Sequence, residues 1–113
     1  MILVTNTHKD ALIAGIQVKE ANLTVSDGFK NEMTALIDQD NKYIVVDFEQ
    51  VIYVDSSFLG ALVSALKYAI ANKAEIVVAG LNKDVSGLFQ LIRLDKAFKI
   101  YVSAAEAADN KAQ

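Results

Sequence analysis

Asp55, Ser56 and Ser57 stand in a row between an apolar run ending at Val54 and a long apolar stretch beginning at Phe58. A carboxylate and two hydroxyls at such a junction have two chemistries open to them. All three residue types are good helix N-caps, because a side-chain oxygen there accepts from a backbone N–H that the first helical turn leaves without a partner. One such oxygen suffices to close a helix, so three in succession leave at least one side chain facing solvent. A free hydroxyl in that place is also a phosphate acceptor. Unpaired amides and the positive end of the helix dipole would favour the product, and the local surface would gain roughly −1.5 to −2 charges. The plainer alternative is a helix cap and nothing more, with Asp55 and Ser56 capping and Ser57 idle in the first turn.

Catalysis has little to build on. Ser56 has no histidine partner except His8, far away in a polar connection, and there is no Gly-rich phosphate loop, cysteine pair or His-acid ligand spacing. The chain is therefore expected to be neither an enzyme nor a cofactor or metal binder. Asp47 could share a magnesium ion with Asp55, but two acids separated by an apolar segment specify no geometry, and turn hydrogen bonding is the simpler role for both.

The elements that must position this turn can be read from periodicity. Residues 2–5 and 11–19 are expected strands, the second with Leu12, Ala14, Ile16 and Val18 on one face; the polar link between them suggests an antiparallel hairpin. Thr24, with Asp27 three residues on, predicts a helix over 24–38 whose inner face carries Val25, Phe29, Met33, Leu36 and Ile37. Residues 43–48 lack alternation, as a strand covered on both faces would, and they point toward the Asp55 turn. A second helix is expected over 57–72, with more apolar residues than one buried face needs. The surplus is either more core, the commoner role for a residue such as Leu62, or it leaves Phe58 and Leu62 exposed in a contact patch around Ser56, for which Phe58 in the first turn is the better candidate. Residues 75–80 form another buried-type strand, parallel to 43–48 through a right-handed crossover. A third helix capped by Asn82 should bury Val85, Leu88, Phe89 and Ile92; a strand over 98–102 follows, then a short Ala-rich helix opened by Ser103 and Glu106, with a fraying tail over 109–113. The fold class is α/β: a single domain over 1–113, with a small mixed sheet and helices largely packed on one side.

Composition narrows the partners. Of 113 residues, 53% are hydrophobic and 22% charged, enough apolar content for one real core. The net charge of −3 gives no basic footprint for nucleic acid. The opening Met1-Ile2-Leu3-Val4 meets Asn6 and Lys9 too soon for a signal peptide, and no later run has the roughly 20 apolar residues of a membrane span. A soluble, cytoplasmic protein without direct membrane insertion is expected. Having no cysteine, the chain forms no disulfide.

The run Val45-Val46-Asp47-Phe48, followed by Val51, Val54 and Asp55-Ser56-Ser57-Phe58-Leu59-Gly60, resembles the signature of the STAS domain of bacterial anti-sigma factor antagonists. The later run from Leu91 to Tyr101 is similar to that family's third helix, loop and last strand, so the resemblance covers nearly the whole chain. It implies a STAS-like fold and a phosphorylation switch. The serine directly after the aspartate, here Ser56, would be phosphorylated by an anti-sigma factor that is itself a serine kinase, and a phosphatase would restore it. Asp55, Ser56, Ser57, Phe58, Leu59 and Leu62 would form the partner-binding surface: Asp55 positions the loop, Ser57 helps to cap the helix, and Phe58 offers apolar contact. Many members carry Gly where this chain has Phe58, and Leu-Asp where it has Leu23-Thr24. STAS domains also serve as accessory subunits of lipid-transporting ABC systems, docking on the ATPase without phosphorylation, and that alternative stays open. So does a weak homodimer.

Overall fold

Two residues, Lys9 and Asp10, join β1 (Leu3–His8) to β2 (Ala11–Ile16) in an antiparallel hairpin. Lys9 takes the positive φ (57°) that tight hairpin turns require. The structure, a computed structural model, describes residues 1–111. Next to β2 lies β4 (Tyr43–Asp47), then β6 (Glu75–Ala79) and β7 (Ile100–Tyr101), all parallel to their neighbours, so the five-stranded sheet runs β1-β2-β4-β6-β7. The mixed sheet expected from the sequence is therefore present, with the hairpin at one side and the unalternating strand at its centre.

A second, two-stranded parallel ladder lies outside the sequence expectation: β3 (Glu20–Ala21) pairs with β5 (Tyr53–Val54). Two-residue strands leave no periodicity to read. Residues 17–19, assigned to a strand by sequence, instead carry the chain across to this ladder, where the Lys19 carbonyl accepts from the amides of Ile52 and Tyr53.

Three helices share one side of the sheet. They are α1 (Leu23–Asp38), α2 (Ser56–Ala71) and α3 (Lys83–Leu91), and their inner residues merge with those of the strands into one apolar core. Phe29, Met33 and Ile37 of α1 are buried, with Val25 and Leu36 packed at the margin, as the helical spacing predicts. Gly28 falls where a Cβ would come within 2.6 Å of Ile2 Cδ1, so the helix gives up propensity to let the start of the chain lie against it. The short helix α4 (Leu94–Ala97) turns the chain toward β7.

The other sheet face is covered by α5 (Ala104–Asp109), whose Ala107 and Ala108 form a smaller core with Ala11, Tyr43, Val45, Val77 and Ala79. This explains why β4 does not alternate. Ser103 caps α5 by accepting from the Glu106 amide, as expected. The predicted fraying falls partly on Ala112 and Gln113, which lie outside the described residues.

Several boundaries differ from expectation for physical reasons. The α1 cap is Asn22, whose Oδ1 accepts from the Thr24 amide and hydroxyl, so the helix begins before Thr24 and Asp27 falls beyond its first turn. Ile92 is exposed because α3 has ended at Leu91 and Arg93 turns left-handed (φ 65°). β7 keeps two residues of the expected five: Phe98 is buried beside Phe89 as the last residue of the α4 turn, whereas Val102 is exposed just before the α5 cap.

Candidate functional site

The Asp55 carboxylate caps one helix and ties the start of another to it. Its Oδ1 accepts from the Phe58 amide at 2.9 Å, which makes Asp55 the N-cap of α2, and its Oδ2 accepts from the amide of Leu23, the first residue of α1, at 2.8 Å. Its own amide donates to the Ala21 carbonyl at 3.1 Å, at the end of the β3–β5 ladder. Two short strands thus deliver Asp55 to the meeting point of two helix N-termini, where a carboxylate is favoured by both dipoles. Asp55 is fully used as a structural anchor.

Ser56 and Ser57 are left over. They occupy the first two positions of α2, both are exposed, and neither hydroxyl takes part in a hydrogen bond among the described residues. The expectation that Ser57 helps to cap the helix is therefore corrected: Asp55 caps it alone. Ser56 carries a free hydroxyl at the positive end of a sixteen-residue helix whose cap does not depend on it.

The expected apolar contacts are corrected as well. Phe58 is 0% exposed, Leu62 likewise, and Leu59 3%. The Phe58 ring lies 4.5 Å from that of Phe29 and 6.3 Å, edge-on, from that of Phe48, which makes it the joint between α1, α2 and the end of β4. Most of the surplus apolarity of α2 is core, because the helix is wedged between α1 and the sheet, while Ile70 near its C-terminal end stays 64% exposed.

Other residues supply the exposed apolar surface. Leu23 (69% exposed), Ile52 (60%) and Tyr53 (52%) lie on the segments that Asp55 ties together. Ile52 and Tyr53 also border a groove of about 240 Å³, lined further by Val54, Asp84, Val85 and Leu88. In sequence, Val51-Ile52-Tyr53-Val54 is an unbroken apolar run and gives no sign that its middle pair faces out. Length does not mark them either, since Ile76-Val77-Val78-Ala79, an apolar run of the same length, is buried throughout.

Asp47 belongs to a different turn. Its Oδ1 accepts from the Glu49 amide at 3.0 Å and lies 2.7 Å from where a Cβ on Gly80 would stand, so Gly80, with φ 75°, is required there. Burial pushes the Asp47 carboxyl above the usual range, the Glu49 amide pulls it down, and the Glu49 charge adds to the rise. With Asp47 and Asp55 holding separate turns, the hydrogen-bonding role is the one the geometry supports. His8 lies at the far end of the hairpin, 3.1 Å from Asp109 Oδ1, where Lys9 also binds at 2.9 Å. Among the described residues no helix is long and apolar enough to cross a membrane.

Comparison with known proteins adds a family to this geometry. The sequence model of the STAS domain matches residues 6–107. The structure is similar to an anti-sigma-factor antagonist (STAS) domain protein from Planctomyces limnophilus, with a TM-score of 0.88 at 15% identity over 98% of each chain. The Bacillus cell fate determinant SpoIIAA in its phosphorylated form matches with a TM-score of 0.71 at 16% identity, over 95% of this chain and 96% of that one. A sulfate transporter family protein from Wolinella succinogenes matches with a TM-score of 0.77 at 14% identity, over 91% and 84%. At these identities the likeness is one of fold.

Proposed function

The chain belongs to the STAS domain family, and from that premise we propose that it is a cytoplasmic anti-sigma factor antagonist, a binding module rather than an enzyme. Its unmodified Ser56 turn docks on a serine-kinase anti-sigma factor, and phosphorylation of Ser56 ends the docking until a phosphatase removes the group. One observation carries this reading: Ser56 is exposed with a free hydroxyl while Asp55 alone caps α2. Phosphate can therefore be added and removed without cost to the fold.

The switch would work by desolvation. Leu23, Ile52 and Tyr53 supply apolar contact around Ser56, and a partner covering them must also strip water from whatever Ser56 carries. A hydroxyl loses little; a group of about −1.5 to −2 charges costs several kcal/mol unless the partner brings matching cations. Titration of the kinase partner with the wild type, Ser56→Ala and Ser56→Asp tests this. Ala should bind and resist modification, and Asp should bind more weakly. Equal affinity for the Asp variant and the phosphorylated protein to that of the wild type would end the proposal.

The exposed apolar trio also favours a second reading, because it can bind without any change of charge. In that reading the domain is an accessory subunit of a membrane lipid-transport ABC system and docks constitutively on its ATPase. The sulfate transporter family protein among the structural neighbours shows that the fold occurs in a transport setting. Co-purification with an ATPase and permease, unaffected by Ser56→Asp, would favour this reading over the first.

A further inference from the structure

We propose that the outer edge of β1 is a homodimer interface, in which two copies pair antiparallel about a two-fold axis at Asn6 and join their sheets into one. β1 is an end strand, and among the described residues nothing pairs with its outer side. From Leu3 to His8 there is no Lys, no Pro and no bulge, and the register with β2 is unbroken over all six residues.

The hydrogen-bond pattern fixes the pairing. The Ile2 carbonyl accepts from the Gln17 amide, so the pairs Val4–Gly15, Asn6–Ile13 and His8–Ala11 are those that exchange bonds with β2. Leu3, Thr5 and Thr7 then turn their main-chain groups outward. The Leu3 amide is already taken by Glu32 Oε1 at 3.0 Å, which leaves Thr5 and Thr7 with both donor and acceptor free. One antiparallel register satisfies all of them: Thr5 opposite Thr7 of the second copy, and the reverse, with Asn6 facing Asn6 on the axis. Each Thr pair exchanges both of its bonds, and side chains stay on matching faces, as an isologous contact demands.

An edge of this length buries little area, so the dimer is weak and its population rises with concentration.

Sedimentation velocity over a concentration series tests the inference, with main-chain amide exchange as a second readout. The wild type should shift toward twice its monomer mass as concentration rises, and the Thr5 and Thr7 amides should become protected in parallel. Asn6→Lys sets two ammonium groups across the axis, where facing Cα atoms are about 4.5 Å apart, and should remain monomeric with an unchanged circular dichroism spectrum. Thr5→Pro removes an outward N–H without touching the bonds to β2 and should act in the same way. A wild type that stays monomeric to its solubility limit would overturn the inference. So would a dimer undiminished in both variants, or one that leaves the Thr5 and Thr7 amides unprotected.

Discussion

The Asp55 Oδ2 atom lies 2.8 Å from the amide of Leu23, so the residue that caps α2 also holds the first turn of α1. Both helices therefore begin from one carboxylate, and the surface around Ser56 is assembled by the same contact. Asp55→Ala should lower stability by about 1–2 kcal/mol, the usual worth of a lost cap, and loosen the α1 start as well. Asp55→Asn keeps one acceptor oxygen and should lose about half as much. Urea unfolding measures both, and amide exchange at Leu23 and Phe58 shows which bond each variant gives up.

Phe58 and Tyr53 should separate folding from binding. Phe58→Ala opens a cavity among Phe29, Phe48 and the α2 core, and should cost about 3–5 kcal/mol. Tyr53→Ala removes an exposed ring and should change stability by less than about 0.5 kcal/mol. It should nevertheless weaken partner binding by about tenfold or more, the loss typical of an aromatic anchor. Thermal melts beside affinity titrations check the pair; a Tyr53→Ala protein that binds like the wild type would remove the apolar trio from the interface.

Stability at alkaline pH should depend on Tyr43. Its hydroxyl donates to the Ala107 carbonyl at 2.9 Å, pinning α5 to the sheet, and burial first, then the nearby Tyr101 and Glu75, pushes its pKa from 10.0 up to about 12. The unfolded chain thus releases this proton before the folded one does. Stability from this group is complete below pH 10 and falls as pH rises from 10 toward 12. Tyr43→Phe should cost about 0.5–1.5 kcal/mol at neutral pH, the net worth of one hydrogen bond, because the Ala107 carbonyl keeps the Asn110 amide, and should flatten the alkaline decline. Denaturant midpoints across that window, wild type against variant, measure the difference.

Much of this fold is legible in the sequence because burial imposes a pattern. Phe29, Met33 and Ile37 recur at helical spacing, and the unbroken Ile44-Val45-Val46 run announces a strand covered on both sides. The polar turn at Ser56 was equally visible, because only there do three capping residues stand together before an apolar helix. The binding face was not. An apolar residue looks the same in sequence whether it points in or out, so the pattern offers Phe58 and Leu62 as contact residues and gives no sign of Ile52 and Tyr53. What decides between them is the β3–β5 ladder, and that rests on main-chain bonds to Lys19 and Ala21 which no side-chain pattern records. The same holds for the double role of Asp55, whose second oxygen reaches an amide 32 residues away.

The central claim is that Ser56 is a phosphorylation switch. Intact mass with site mapping, on protein purified from its own host under several growth conditions and with Ser56→Ala alongside, addresses it most directly. The account predicts one phosphate, located on Ser56 and absent from the variant. An unmodified mass under every condition, or a phosphate that maps to Ser57 and survives Ser56→Ala, would contradict it and leave Asp55 as the cap of α2 and its tie to α1, beside a constitutive docking face.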